Sequence, residues 1–247
     1  MRLGRWRWPA LAGCGAVLSA SLLLPIAILI YWLLQGLTAN VPFAFPWGAA
    51  GNSLFVSGLA AVAAMVVSLP VAMLVVRYPS RLTGLLERST YVGFALPGVA
   101  VALGIVFFGA SYASPLYQTT GLLIFAYVVL FMPAVVGASR AGLLQVSPRV
   151  EEAARGLGKT QWSVFFSITL PLMWRSTLAG GALVFLLTMK ELPATLILSP
   201  IGFKTLATSI WSSASEAFFA QAAASSLLLV LAASVPMAFL VLRQSRQ

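Results

Sequence analysis

Histidine and aspartate are absent from this sequence, cysteine occurs once, and charges are scarce: 15 basic and 5 acidic residues in 247. Without histidine there is no Ser-His-Asp or Cys-His nucleophile and no imidazole metal ligand. The one cysteine, Cys14, permits no intrachain disulfide and no thiolate cluster, and its apolar surroundings favour packing over reactivity. The scarcity of charge excludes most. A water-soluble domain carries about 25% charged residues, whereas this chain carries 8%, with 60% hydrophobic residues. So few charges cannot cover a surface that faces water on every side, and an integral membrane protein is what remains.

What the chain has in place of charge is long apolar runs. A helix needs about 20 such residues to cross the hydrocarbon layer. Six windows qualify: Leu11–Leu34, Asn52–Val76, Tyr91–Ala110, Leu122–Ala141, Ser176–Ser199 and Ala217–Leu242. They do not alternate, which argues against a β-barrel. The expected fold is therefore an all-α integral membrane protein of six transmembrane helices in one domain over residues 1–247, with no linker or internal repeat. The basic residues set its orientation. Arg2, Arg5 and Arg7, then Arg77, Arg81 and Arg88, then Arg140, Arg149, Arg155, Lys159 and Arg175, then Arg243 and Arg246 all fall on one side. Only Lys204 falls in a loop on the other side, and Lys190 lies inside the fifth window. This bias places both termini in the cytoplasm and explains the net charge of +10 without nucleic acid. The first window follows three arginines as a secretory signal would. It runs too long for a 7–15-residue signal core, and is read as an uncleaved span. Pro42, Pro46 and Pro115 break the uncharged outer loops.

The largest inside segment, Gly142–Arg175, carries the specific signal. Ser147-Pro148 suits a helix start, with Ser147 as cap and Pro148 at the first position. Glu151 and Glu152 lie in the first turn, where the helix dipole favours negative charge. Gly158 is a fitting stop. A short helix over Pro148–Leu157 is expected, and a second from near Thr160 towards Pro171. Glu152-Ala153-Ala154, three residues, Gly158, nine residues, Ile168, one residue, Leu170-Pro171 resembles the EAA loop of binding-protein-dependent ABC importer permeases. The resemblance implies the type I permease fold, an ATPase-coupling role for Glu151, Glu152, Ala153, Ala154, Arg155, Gly158, Ile168, Leu170 and Pro171, and a short helix seated in a groove of a cytoplasmic ABC ATPase dimer. Small side chains at Ala153 and Ala154 would let that partner approach, and Glu152 would pair with a basic group on it. Ala153 with Gly158-Lys159-Thr160 also fits a permissive P-loop pattern, but no strand precedes it and no aspartate is present for magnesium. No cofactor is expected in this chain; ATP and magnesium would belong to the partner ATPase.

An ionisable pair interrupts the fifth window at Met189-Lys190-Glu191-Leu192-Pro193. A charge at mid-membrane costs about 2.5–3.5 kcal/mol on insertion scales, so a partner or a watery path is required. Adjacent residues on a helix point about 100° apart, so the pair cannot satisfy itself fully. Pro193 further deprives the Met189 carbonyl of its helical donor. Lys190, Glu191, Pro193 and Glu216 are thus candidates for a translocation path or gate, with Lys204 and Glu216 as possible ionic partners. The alternatives are a structural ion pair, or a helix end nearer the surface.

Lys190-Glu191-Leu192-Pro193-Ala194-Thr195-Leu196, then Gly202-Phe203, then Thr205-Leu206-Ala207-Thr208 is most similar to the carboxyl-terminal half of ferric-iron permeases. Thiamine permeases are close relatives. Ferric permeases usually fuse two six-span halves, whereas this chain has one EAA loop. The resemblance therefore implies a second permease half, the same or a homologous chain, and a periplasmic or lipid-anchored substrate-binding protein. Pro200–Glu216, with Phe203, Ile210 and Trp211, could dock that protein or lie at the lipid headgroups. The expected function is a non-enzymatic permease subunit in a bacterial inner membrane, passing ferric iron or another small solute. An ion-coupled secondary transporter and a membrane-embedded enzyme remain the readings from other classes.

Overall fold

The computed structural model describes residues 7–38 and 45–244; Arg2, Arg5, Pro42 and Arg246 lie outside them. Among the described residues there are eleven α-helices, in chain order α1 (Arg7–Thr38), α2 (Trp47–Arg77), α3 (Arg81–Ala95), α4 (Gly98–Tyr112), α5 (Thr120–Leu144), α6 (Pro148–Gly156), α7 (Gln161–Val164), α8 (Leu170–Met189), α9 (Pro193–Leu198), α10 (Leu206–Ser215) and α11 (Phe219–Gln244). Five helices are long and apolar enough to cross a membrane, and a sixth span is possible if the bent pair α3 and α4 counts as one.

The third span is not the straight helix expected over Tyr91–Ala110. It breaks at Leu96-Pro97, and α3 and α4 meet at 109°. Leu96 is extended (φ −93°, ψ 139°) because the ring of Pro97 disfavours helical backbone in the residue before it. Hydropathy does not register this, since Leu and Pro both sit in an apolar run. The fifth span also departs from Ser176–Ser199: α8 ends at Met189, and Pro193 starts α9 afresh. At its other end the span begins earlier than expected. The helix starting after Thr160 does not stop at Pro171 but continues to Met189 as a 29-residue unit. A π turn over Phe165–Thr169 makes this possible. Its wider ring bonds the Leu170 N–H back to the Phe165 carbonyl, so Pro171, with no N–H, enters where the helix is already re-registering. The region Pro200–Glu216, expected as a loop, contains α10, started by a reciprocal cap between Thr205 and Thr208.

The centre of the fold is the triad α2, α5 and α8. Helices in lipid gain little from hiding apolar surface and instead pack through small residues that allow close approach. The buried face of α2 fits that rule, with Ala49, Ser53, Ser57, Ala61, Ala64, Ser68 and Ala72. Gly180 does the same for α8: a methyl there would lie 2.9 Å from the Val135 Cα of α5. A chain of buried hydroxyls ties all three helices together. Ser139 of α5 donates to Thr177 of α8 at 3.1 Å and lies 3.3 Å from Ser68 of α2. Outside the triad, α3 packs on α5, α4 on α9, and α11 on both α1 and α10.

Candidate functional site

Helix α6 forms where the sequence places it, but its ends are made differently at the two termini. Ser147 is extended and its side chain makes no capping bond; Pro148 alone presets the first turn. The C-terminus is a full Schellman turn. Gly158 takes φ +85°, its N–H bonds to the Arg155 carbonyl at 3.0 Å, and the Lys159 N–H bonds to the Ala154 carbonyl at 3.1 Å. Thr160 then caps α7, its Oγ1 accepting from the Ser163 N–H at 3.3 Å. The chain thus reverses sharply between two short helices.

The two glutamates face opposite ways. Glu152, Ala153, Arg155 and Gly158 are exposed, whereas Glu151 and Ala154 are buried. Glu151 does lie in the first turn as expected, but buried in an ion pair, and Ala154 packs inward instead of offering a small surface to a partner. The Glu151 Oε1 receives the Arg77 Nη2 at 3.0 Å and the Thr169 hydroxyl at 2.8 Å. The same Arg77 nitrogen also donates to the Val146 carbonyl at 2.8 Å. Ile168 and Leu170 are half-buried in and after the π turn, and Pro171 is exposed. Sequence reasoning missed Arg77, Thr169 and an apolar ridge beside the knob. Leu157 is 87% exposed and Trp162 74%, with Trp162 stacked on Phe166 at 6.2 Å between ring centroids. The ridge could have been read from apolar residues in a segment outside every span window; the Arg77 contact could not, since it joins positions 74 residues apart.

The second group lies where the two broken spans meet. Lys190 ends α8 and is exposed; among the described residues it makes no ion pair. Glu191 turns away from it. Its Oε1 accepts the Ala194 N–H at 3.1 Å, capping α9 just after Pro193. That oxygen also lies against the start of α4, 2.9 Å from where a side chain on Gly98 would begin. The carbonyl of Glu191 accepts from the Thr195 hydroxyl, which is 2.6 Å from the Tyr127 hydroxyl of α5. The break is thereby fixed to α4 and α5, not left loose. Glu216 and Lys204, expected as ionic partners of this pair, are not joined to it. They line a separate cavity of about 370 Å³ with Ser209, Ser213, Gln221 and Ser225, at the end of α2 opposite Arg77. There Asn52 and Ser53 of α2 hold the connection between α9 and α10, through the Lys204 carbonyl at 2.9 Å and the Leu206 N–H at 2.8 Å. Among the described residues no three His, Cys, Asp or Glu side chains group as a metal ion would need.

Residues 64–246 match the family described as binding-protein-dependent transport system inner membrane component. The chain is 39% identical over 214 residues to the Fe(3+)-transport system permease protein FbpB 2 of Haemophilus influenzae, covering 86% of this chain and 42% of that protein. It therefore spans less than half the length of this relative. It is 28% identical to the putative 2-aminoethylphosphonate transport system permease protein PhnV of Salmonella typhimurium over 74% of this chain and 69% of the relative. It is 33% identical to the molybdenum transport system permease protein ModB of Escherichia coli K12, over 61% and 70% respectively. Two solved structures share the fold. A bacterial alginate ABC transporter in complex with an alginate pentasaccharide-bound periplasmic protein superposes with TM-score 0.70 at 15% identity, covering 96% of this chain and 94% of that one. The inward-facing MetNI methionine ABC transporter gives 0.59 at 14% identity, covering 78% and 93%. Matched over most of its length, and built among the described residues of helices with a short reversed pair between the long ones, the chain belongs to the binding-protein-dependent transport system inner membrane component family.

Proposed function

We propose that this chain is the transmembrane subunit of an ATP-driven importer of ferric iron in a bacterial inner membrane, and that α6 is the surface a separate ATPase dimer moves. One observation carries the coupling role. Glu152 and Ala153 stand out on a nine-residue helix, and Leu157 just after it; the helix is locked from behind by Glu151 and closed by the Gly158 turn. A protruding surface on a rigid mount suits a groove in a moving partner. Trp162 and Phe166 widen that surface with apolar area that lies outside the central bundle and fits a protein partner. ATP and magnesium act on that partner; this chain contributes the lever. The 39% identity to FbpB 2 supports ferric iron as cargo, delivered by an extracytoplasmic binding protein. A second permease half, the same or a homologous chain, completes the path. Glu191, at the crossing of two broken spans, serves as a gate residue beside Lys190 and Pro193, and Lys204 and Glu216 face the docked binding protein.

The test is reconstitution with the ATPase, the second half and the binding protein. Changing Glu152→Arg should abolish co-purification of the ATPase and, with it, uptake of radioactive ferric iron. Retained co-purification and uptake would refute the coupling role. Uptake of a phosphonate or molybdate, with no uptake of iron, would refute the cargo and leave the permease reading intact. For the gate, Glu191→Gln and Glu191→Ala should each cut uptake while inserting normally; parental uptake in both would remove it.

A further inference from the structure

The clamp behind α6 supports an inference that rests on the coupling role but is separable from it. Nine residues are too few for a helix to hold its place by itself. Its buried residues are Glu151 and Ala154 alone. Whatever force reaches α6 therefore passes to the spans chiefly through the contacts of these two side chains and the chain ends. The contacts of Glu151 are specific. Its Oε1 is shared by Arg77, in the last turn of α2, and Thr169, in the π turn that heads α8. Arg77 also holds the Val146 carbonyl, in the turn between α5 and α6. Four stretches of chain thus converge on one ion pair.

Burial gives the pair its stiffness. The side chains of Arg77 and Glu151 are 13% and 8% exposed, and Thr169 is 1% exposed. Removing one partner of such a pair leaves a charge with neither water nor counterion, unlike the Glu87–Arg140 pair, which is 3.4 Å long and 46% exposed on the arginine side. The two elements clamped are also those that run to the far end of the fold. At its other end α2 holds the connection before α10 through Asn52 and Ser53, and α8 ends at Lys190 beside Glu191.

We propose that Arg77 and Glu151 are positioning residues for transport: they transmit displacement of α6 to α2 and α8 together, so that hydrolysis on the partner becomes movement of the path. Without the pair, α6 moves and the spans do not follow. The expected phenotype is uncoupling, not loss of assembly.

The experiment uses the complete transporter in proteoliposomes with iron-loaded binding protein. Three quantities are read: co-purified ATPase, ATP hydrolysis and iron uptake. Glu151→Gln, which keeps hydrogen-bonding atoms and removes the charge, should retain the ATPase and hydrolyse ATP while uptake per ATP falls at least tenfold. The double variant R77M/E151L replaces the buried pair by apolar side chains of similar size, which folded proteins tolerate; it should insert and assemble yet show the same uncoupling. Thr169→Val, which removes one of the two donors, should fall between these and the parent. A parental uptake-to-hydrolysis ratio in both Glu151→Gln and R77M/E151L would overturn the inference. So would a fall in uptake and hydrolysis that only tracks the amount of assembled complex, since that is a structural role alone. Glu152→Arg in parallel separates the two readings. If it leaves the ATPase bound, the coupling role itself fails; if it releases the ATPase while the clamp variants transport normally, only the clamp fails.

Discussion

Gly158 offers a graded test of whether the turn after α6 matters. Its φ of +85° places it in the left-handed region, and a Cβ built on it meets nothing within 4 Å. Substitution there therefore reports backbone strain without steric overlap. For an L-residue that strain is about 1–2 kcal/mol, less for Asn and more for β-branched residues. Since Gly158 and Lys159 both donate to carbonyls of α6, the strained chain can escape by opening those bonds and fraying the last turn. A penalty of about 1–2 kcal/mol lowers the ratio of formed to frayed turn by about 5- to 30-fold. The series Gly158→Asn, Gly158→Ala and Gly158→Val should thus show a rank order of decreasing ATPase co-purification and iron uptake, at equal membrane content of the permease. The change of side-chain volume is not the variable, because the site is open. Parental uptake in the Ala and Val variants would show that the geometry of this turn is irrelevant to function.

Other perturbations probe the packing that carries the site. Gly180→Ala would put a methyl 2.9 Å from the Val135 Cα and 2.8 Å from the Ala138 Cβ, and should lower stability by about 1–3 kcal/mol, seen as earlier thermal unfolding in detergent. An unchanged melting curve would mean α5 and α8 are not so close. Ser139→Ala removes the middle of the Ser68–Ser139–Thr177 chain and should cost about 1 kcal/mol, since side-chain hydrogen bonds between membrane helices average about 0.6 kcal/mol; no measurable loss would show that the hydroxyls do not bind the triad. Arg140→Ala breaks a half-exposed pair with Glu87 and should change stability by less than about 1 kcal/mol. A much larger loss by the same assay would show that this pair is buried in the assembled transporter.

The sequence made legible what depends on local rules. Lipid demands long apolar helices, so five of the six windows could be read from runs of Leu, Val and Ala as helices long enough to cross, while the third falls on the bent pair α3 and α4. The helix α6 was legible because Pro148 and Gly158 act on their own neighbours. The break at Leu96-Pro97 was legible in principle, from the proline, but an average over the apolar window concealed it. The capping of α9 by Glu191 was half visible: Pro193 announced an interruption, while the approach of α4 to that carboxylate depends on how two broken spans cross. Least legible was Glu151. Beside Glu152 it looked like a second dipole charge, and only the fold brings Arg77 and Thr169 to it from other elements. A pattern of adjacent acids tells that one face is polar; it does not tell which acid turns inward.

The π turn over Phe165–Thr169 takes up one residue more than an α-helical turn would, so the stretch before it keeps its phase on α8. Deleting one residue within Phe165–Ile168 should therefore let the turn close as ordinary α-helix with the knob at Glu152 still aimed much as before, whereas deleting one residue from the regular part of α8 should rotate everything upstream by about 100°. The same one-residue change is thus absorbed at one place along this span and re-aims the knob at another.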